Sequence, residues 1–484
     1  MKNTIALLAC LLAATPAMWA QNGYLEQLKV ENRSVEKVNR NVRVTADFNL
    51  DGMNLNTQHS LRLVPVIVSA DGTHEQPLDP VVVNGKVRSK VIERQQALGN
   101  TKEDDAPAVR RTNGKPQTLH YADEVPFKVW MLNGRLDLRA YVTGCAACDE
   151  GDELLATGGI LPYEEPQYLM QPPAQPKEEV VKHRSEVRMA RLQYRQDGDV
   201  VLPNYKTNRE ELDKVQASVD AVKENADLTI TGIYVTGYAS PEATVRYNLD
   251  LSKRRAQKFV AYVQKQNPEL DKKLWHVDWK GEDWVGLRAE VEKATTLPRK
   301  EEVLKIIDDC QGDQDACEAQ LKALQPASIY RQLLSEQYPP LRRNEYRIEY
   351  NVRNYTLEET RRMLQSRPDL VSVAEIQKVA DSYGRNTDGY RQALQVAVRT
   401  YPDNIAARHN AALAEIETGH YAEAIALLKD ATDGGLLNLL GVAYQKNGQT
   451  SEADAAFAKA GQAGSDEAAR NLQMLRQSVE MLAE

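Results

Sequence analysis

The sequence predicts a multidomain chain: an N-terminal all-β sandwich, a central α+β domain and a C-terminal all-α array. Three observations predict it. At 484 residues the chain is too long for one ordinary hydrophobic core. Its apolar residues alternate with period two over 21–160, take mixed strand and helix spacing over 186–355, and become Ala-rich with helical spacing over 356–484. Between the first two regions stand Pro162, Pro166, Pro172, Pro173 and Pro176, with Glu164, Glu165, Glu178 and Glu179 around them. Proline fixes φ and charge repels charge, so 161–185 reads as a stiff, extended linker.

The first element is an export signal over residues 1–20. Lys2 is its positive end, 5–14 its apolar stretch, and Ala20-Gln21 a plausible cleavage point. Leu7-Leu8-Ala9-Cys10 also fits a lipobox, which would make Cys10 a lipidated N-terminus. The apolar run 11–20 stands where a lipoprotein usually has a polar tether, so cleavage before Gln21 is the expectation. No later segment reaches the ~20 apolar residues of a membrane helix. The expected location is the periplasm or the outer membrane's periphery. A net charge of −8 excludes a general nucleic-acid binder, which needs basic excess.

In the β region Val42, Val44, Ala46, Phe48 and Leu50 alternate with polar residues, as do Leu136, Leu138, Ala140 and Val142. Asp51-Gly52, Asp71-Gly72, Asn84-Gly85, Asn113-Gly114 and Asn133-Gly134 read as turns between such runs. Regular strand and turn spacing favours a sandwich. A transmembrane barrel would need repeated ten-residue segments with aromatic girdles. Cys145-Ala-Ala-Cys148 ends the region. A redox pair of this spacing needs a βαβ context, which is missing, so a structural disulfide is expected.

In the central domain, 187–194 reads as a strand, 209–224 as a helix, 228–235 as a strand and about 248–265 as a helix. Strands over 275–280 and 346–352 follow. Between them, helices over 287–295, 299–309 and 316–324 form an insertion at about 285–342. Cys310 and Cys317 bracket a polar turn in it, and a disulfide there would pin the hairpin. Asp309, Asp313 and Asp315 lack the full acidic spacing of a calcium loop.

The order strand, helix, strand, helix, strand, strand, with Gly237-Tyr238, Asn248, Leu251-Ser252, Arg255-Ala256 and Gly281-Glu282, resembles the OmpA-like peptidoglycan-binding domain. In that family an Asp after the second strand and the Arg of the next helix clamp the diaminopimelate of the peptidoglycan stem peptide. The resemblance implies a peptidoglycan site at Ser240, Glu242, Asn248 and Arg255. Asn248 and Arg255 match the motif, but Ser240 stands where the Asp is expected. A Ser supplies no opposing charge for an ammonium, and Glu242, two residues on, is the candidate replacement. The plainer reading makes Ser240 an N-cap, Pro241 the first helical residue and Arg255 one base on a solvated face.

In the tail, Gly419-His420-Tyr421-Ala422-Glu423-Ala424 aligns with Gly448-Gln449-Thr450-Ser451-Glu452-Ala453, and Leu428 and Ala431 answer to Phe457 and Ala460. This resembles tetratricopeptide repeats, although the spacing is shorter than the usual one and Asp433-Gly434-Gly435 replaces the Pro-ended loop. The whole arrangement resembles Bacteroidota envelope proteins that join an N-terminal β domain of unknown function to an OmpA-like domain and often accompany fimbrial genes.

No catalytic constellation is visible: no His-Glu-x-x-His pair, no Gly-x-Ser-x-Gly elbow and no P-loop. The expected function is therefore a non-enzymatic envelope protein without cofactor or metal. Its centre would contact peptidoglycan, and its repeats or β domain would dock envelope or fimbrial proteins. The alternative is a fimbrial assembly or adhesion factor that uses the OmpA-like fold only as a scaffold.

Overall fold

A computed structural model describes residues 23–99, 106–144, 149–195, 198–310 and 312–484. The expected signal sequence, Cys10, Cys145 and Cys148 lie outside the described residues. The chain divides into two units. One comprises Met1–Met170 with Thr450–Glu484, the other Gln171–Gln449.

The first unit is β-rich, as the alternation predicts. Strands β1 (Lys29–Val38), β2 (Asn41–Asn49) and β7 (Thr118–Pro126) make an antiparallel sheet with β2 central. The second sheet runs in the order β6 (Ala108–Arg110), β5 (Val81–Asn84), β3 (Ser60–Val68), β8 (Arg135–Thr143), β9 (Asp149–Gly159), with β4 (Glu75–Pro77) on β3. Val42, Val44 and Phe48 from one sheet and Leu61, Leu63 and Leu138 from the other share one buried core. Each such buried side chain contributes roughly 1.5–3 kcal/mol of transfer free energy.

The all-β reading of 21–160 needs one correction. Helix α1 (Lys86–Ala97) interrupts the strands. Its residues are good helix formers, but only Ser89 on it is buried, so no apolar stripe betrays it. Asn84-Gly85 is accordingly no hairpin turn. Gly85 is the helix N-cap, and a Cβ there would meet Asn56 O at 2.2 Å.

The second unit holds a four-stranded sheet ordered β10 (Lys182–Ala190), β13 (Asn344–Val352), β11 (Leu228–Ala239), β12 (Trp275–Glu282). Strands β11 and β12 are parallel, joined through α3 (Val245–Gln266), whereas β13 is antiparallel to both its neighbours. Helices α2 (Asn208–Lys223) and α3 bury Val215, Val219, Phe259 and Val263 in a core with Ile233, Val235 and Ile348. The spans expected at 187–194 and 186 onward shift: β10 starts at Lys182, inside the predicted linker, and ends at Ala190.

The insertion is helical, as expected: α4 (Trp284–Lys293), α5 (Lys300–Asp308), α6 (Gln314–Ala323) and α7 (Ser328–Gln332). It has its own core, with Leu287, Val303, Leu321 and Tyr338. Cys310 and Cys317 are joined, their Cα atoms 5.9 Å apart.

Then follow helices only: α8 (Leu357–Ser366), α9 (Val373–Tyr383), α10 (Asp388–Thr400), α11 (Ile405–Glu417), α12 (Tyr421–Leu428) and α13 (Gly434–Lys446). Helices α14 (Thr450–Gln462) and α15 (Asp466–Leu482) group with the first unit, where Met481 packs on the β core and Lys128 pairs with Glu484. Among the described residues no helix is long and apolar enough to cross a membrane.

Candidate functional site

The four expected residues converge where β11 ends and α3 begins. The approach of these two elements is set by Gly237. A Cβ at that position would lie 2.4 Å from Ser252 O and 2.9 Å from the Ala256 Cβ, so only glycine lets α3 sit this close. Ser252 Oγ in turn accepts from Gly281 N at 3.1 Å, which ties α3 to the end of β12. The small residues of the motif are thus packing and anchoring positions.

Helix α3 does not begin at Pro241. It starts at Val245 with Thr244 as N-cap, its side chain accepting from Tyr247 N. Ser240 and Glu242 therefore belong to the loop, and the reading of Ser240-Pro241 as a helix-start pair is corrected. Ser240 is buried, and its Oγ accepts from Arg342 Nε at 3.1 Å. Glu242 forms an ion pair with the same guanidinium. Arg342, just ahead of β13, did not figure in the sequence reading. It lies 102 residues from Ser240 in the chain, and no local pattern points to it.

Asn248 is buried on the first turn of α3 and donates to Ala243 O at 2.9 Å and Glu282 Oε1 at 2.7 Å. Glu282 Oε2 accepts from Trp284 Nε1 at 2.8 Å. Burial pushes the Glu282 carboxyl above its usual range, and the bonds from Asn248 and Trp284 oppose that shift. Asn248 therefore holds a loop and a carboxylate in place. It is a positioning residue.

Arg255 sits two turns further along α3 and is only 7% exposed, so it is not one base on a solvated face. Its guanidinium stacks over the Tyr194 ring, 4.6 Å from the centroid, and Nε donates to Gly198 O at 3.2 Å. Burial pulls its pKa below the ordinary arginine value. The Arg342 charge acts in the same direction, and Glu242 opposes it. The group still remains cationic at any physiological pH. Burial also pushes the Tyr194 phenol up to about 12.

Among the described residues no carboxylate stands within ion-pair distance of Arg255. Its neighbours Arg254 and Arg342 do have acid partners, in Asp250 and Glu242. A buried cation without a counter-ion is costly, and an incoming anion offsets that cost. Arg342 and Glu242 balance each other as an ion pair, which leaves the Arg255 guanidinium as the group suited to reading a carboxylate.

Residues 3–109 match the family model for a domain of unknown function (DUF3868). The match takes in β1 to β5 and helix α1 and stops short of the Arg255 corner. No curated protein matches the chain.

A second polar cluster lies elsewhere in the same unit. Lys182 is fully buried, with Nζ 2.9 and 3.1 Å from the Glu375 carboxylate and 4.0 Å from the Tyr355 ring centroid. Glu375 also accepts from Tyr355 N and Ser372 N, both at 2.8 Å. A cavity of about 130 Å³, lined in part by Glu178, Thr360, Glu375 and Lys378, opens beside it. None of Ser240, Glu242, Asn248 and Arg255 lines that cavity. Every donor and acceptor of the ion pair faces another group of the protein, so this cluster reads as a structural lock. Among the described residues no group of His, Cys, Asp and Glu is arranged to hold a metal ion.

Proposed function

We propose that this chain is a non-enzymatic cell-envelope protein whose central OmpA-like domain contacts peptidoglycan through a stem-peptide carboxylate. The observation that carries this reading is Arg255: buried, stacked on Tyr194, and without a carboxylate partner among the described residues. The strand order β10-β13-β11-β12, with parallel β11 and β12 joined through α3, supports the resemblance noted in the sequence. Arg342 sits on Ser240 and Glu242, where an ammonium would otherwise be read. Recognition then shifts from a zwitterion to a carboxylate, read by Arg255 with Arg342 beside it. The helices and the β-rich unit would serve envelope or fimbrial partners, in the periplasm or at the outer membrane.

Co-sedimentation with purified sacculi tests the reading. The wild type is expected to pellet, and Arg255→Ala to lose at least tenfold in bound fraction. Equal pelleting of both would remove Arg255 from the site, and no pelleting of the wild type would remove the wall contact. The Arg342 contacts favour a second reading, a fimbrial assembly or adhesion factor in which this corner is only a scaffold. That reading predicts altered fimbriation on deletion of the gene, with no sacculus binding by the purified protein.

A further inference from the structure

The proline-rich stretch raises a question of hydrogen-bond supply. Between Pro172 and Pro176 only Ala174 and Gln175 have an N–H to donate. The stretch belongs to no strand, so its backbone needs partners outside a sheet. Ala174 finds both in one side chain. Its N–H donates to Asn410 Oδ1 at 2.7 Å, and Asn410 Nδ2 donates back to Ala174 O at 2.8 Å. A carboxamide reads both backbone groups of one residue, as a neighbouring antiparallel strand does.

Asn410 is held rigidly for this task. It lies on α11 and is 1% exposed. Its second N–H goes to Gln377 Oε1 on α9 at 2.8 Å, and His409 Nδ1 stands 3.2 Å from its oxygen. All four hydrogen-bonding positions of the carboxamide are in use. None of these bonds involves a side chain of the proline-rich stretch. Gln171 passes α13 at Gly435, where a Cβ would stand 2.9 Å from Gln171 Oε1. The first unit repeats the device by itself. There Asn471 of α15, fully buried, accepts from Leu169 N at 2.7 Å and donates to Leu169 O at 2.8 Å. Tyr168 stacks on Phe457, their centroids 5.7 Å apart.

We propose that the helices of the second unit carry a peptide-backbone site for an extended, proline-flanked strand, and that this chain fills the site with its own residues 171–176. The readout is through backbone groups, so it selects an extended conformation and not a particular side-chain sequence. A partner polypeptide of the same kind, an extended strand with prolines on either side of a free amide, gains the site when the resident segment leaves. This inference does not depend on the wall-binding reading, because neither Asn410 nor Asn471 touches Arg255.

Two measurements test it, both on the full chain. The first is amide exchange on the wild type. Ala174 and Leu169 are expected to exchange at least tenfold more slowly than in an unstructured peptide, and exchange at the unstructured rate would overturn the assignment. The second uses a labelled synthetic peptide of residues 170–181 as the probe. Ala174→Pro removes the resident donor without altering a helix, and is expected to bind the probe at least tenfold more tightly than the wild type. Adding Asn410→Leu is expected to abolish that gain. Equal binding by wild type and Ala174→Pro, or binding that survives Asn410→Leu, would overturn the proposal. Should Ala174→Pro not fold, the exchange measurement decides by itself.

Discussion

Replacing Lys182 by Met isolates the energetics of a buried charge pair. Lys182 is fully buried and its partner Glu375 is 9% exposed as a residue. At 2.9 Å between Nζ and Oε2, an effective dielectric near 20 gives an attraction of about 6 kcal/mol, much of it offset by desolvation. Burial lowers the Lys182 pKa, and the Glu375 contact opposes that shift, as expected of a pair that must compensate for lost water. Lys182→Met leaves a carboxylate with only its bonds from Tyr355 N and from the Ser372 amide and hydroxyl. Truncating one partner of such a pair costs about 3–5 kcal/mol. The cavity of about 130 Å³ beside Glu375 lets water reach the orphaned acid, so the lower end, about 3 kcal/mol, is expected. Urea unfolding at pH 7 measures it, with Trp275, Trp279 and Trp284 of the same unit as fluorescent reporters. A cycle with Glu375→Gln is expected to give a coupling of about 2 kcal/mol. A cost below about 1 kcal/mol for Lys182→Met would refute the claim that the pair is shielded from solvent.

Three further outcomes are expected. Gly237→Ala forces β11 and α3 apart, because its Cβ would lie 2.4 Å from Ser252 O. It should cost about 1–3 kcal/mol, visible as a lower Tm, and an unchanged Tm would mean the contact is not tight. His409 is held below its ordinary pKa of 6.5 by burial, with Asn410 opposing, and its Nε2 is buried without a partner among the described residues. The unfolded chain therefore takes up the proton first, so stability is complete above pH 6.5 and is lost as pH falls toward the folded value. Unfolding titrations of His409→Leu from pH 7.5 to 5.5 should lack that part of the slope, and a slope equal to the wild type's would count against a buried neutral imidazole. Replacing both Cys310 and Cys317 by Ser should cost about 2 kcal/mol, and reductant should shift the wild type but leave the double variant unchanged.

Much of the fold is legible in the sequence. The turn at Asn133-Gly134, with Asn133 at φ 56°, and the helical spacing of Leu212, Val215 and Val219 both appear as read. Helix α1 was not legible because periodicity registers burial, and that helix buries almost nothing. At the candidate site, Asn248 and Arg255 were found through motif spacing. Arg342 was not, nor was the place of Tyr194 under the Arg255 guanidinium. The spacing places Tyr194 at the end of a strand, yet β10 stops at Ala190 and leaves the ring in the irregular segment that follows.

The sequence alone determined what depends on neighbours a few residues apart: strand alternation, helix faces and the Cys310–Cys317 hairpin. Only the tertiary structure decided which charges meet. It put Arg342 on Ser240 and Glu242, left Arg255 buried without an acid among the described residues, and gave the amide of Ala174 to a side chain 236 positions away. The physical reason is that secondary structure repeats along the chain and leaves a periodic trace, whereas a single hydrogen bond between distant segments has no period. The segment that reads as a stiff, extended linker thus has the amide and carbonyl of Ala174 held by a side chain.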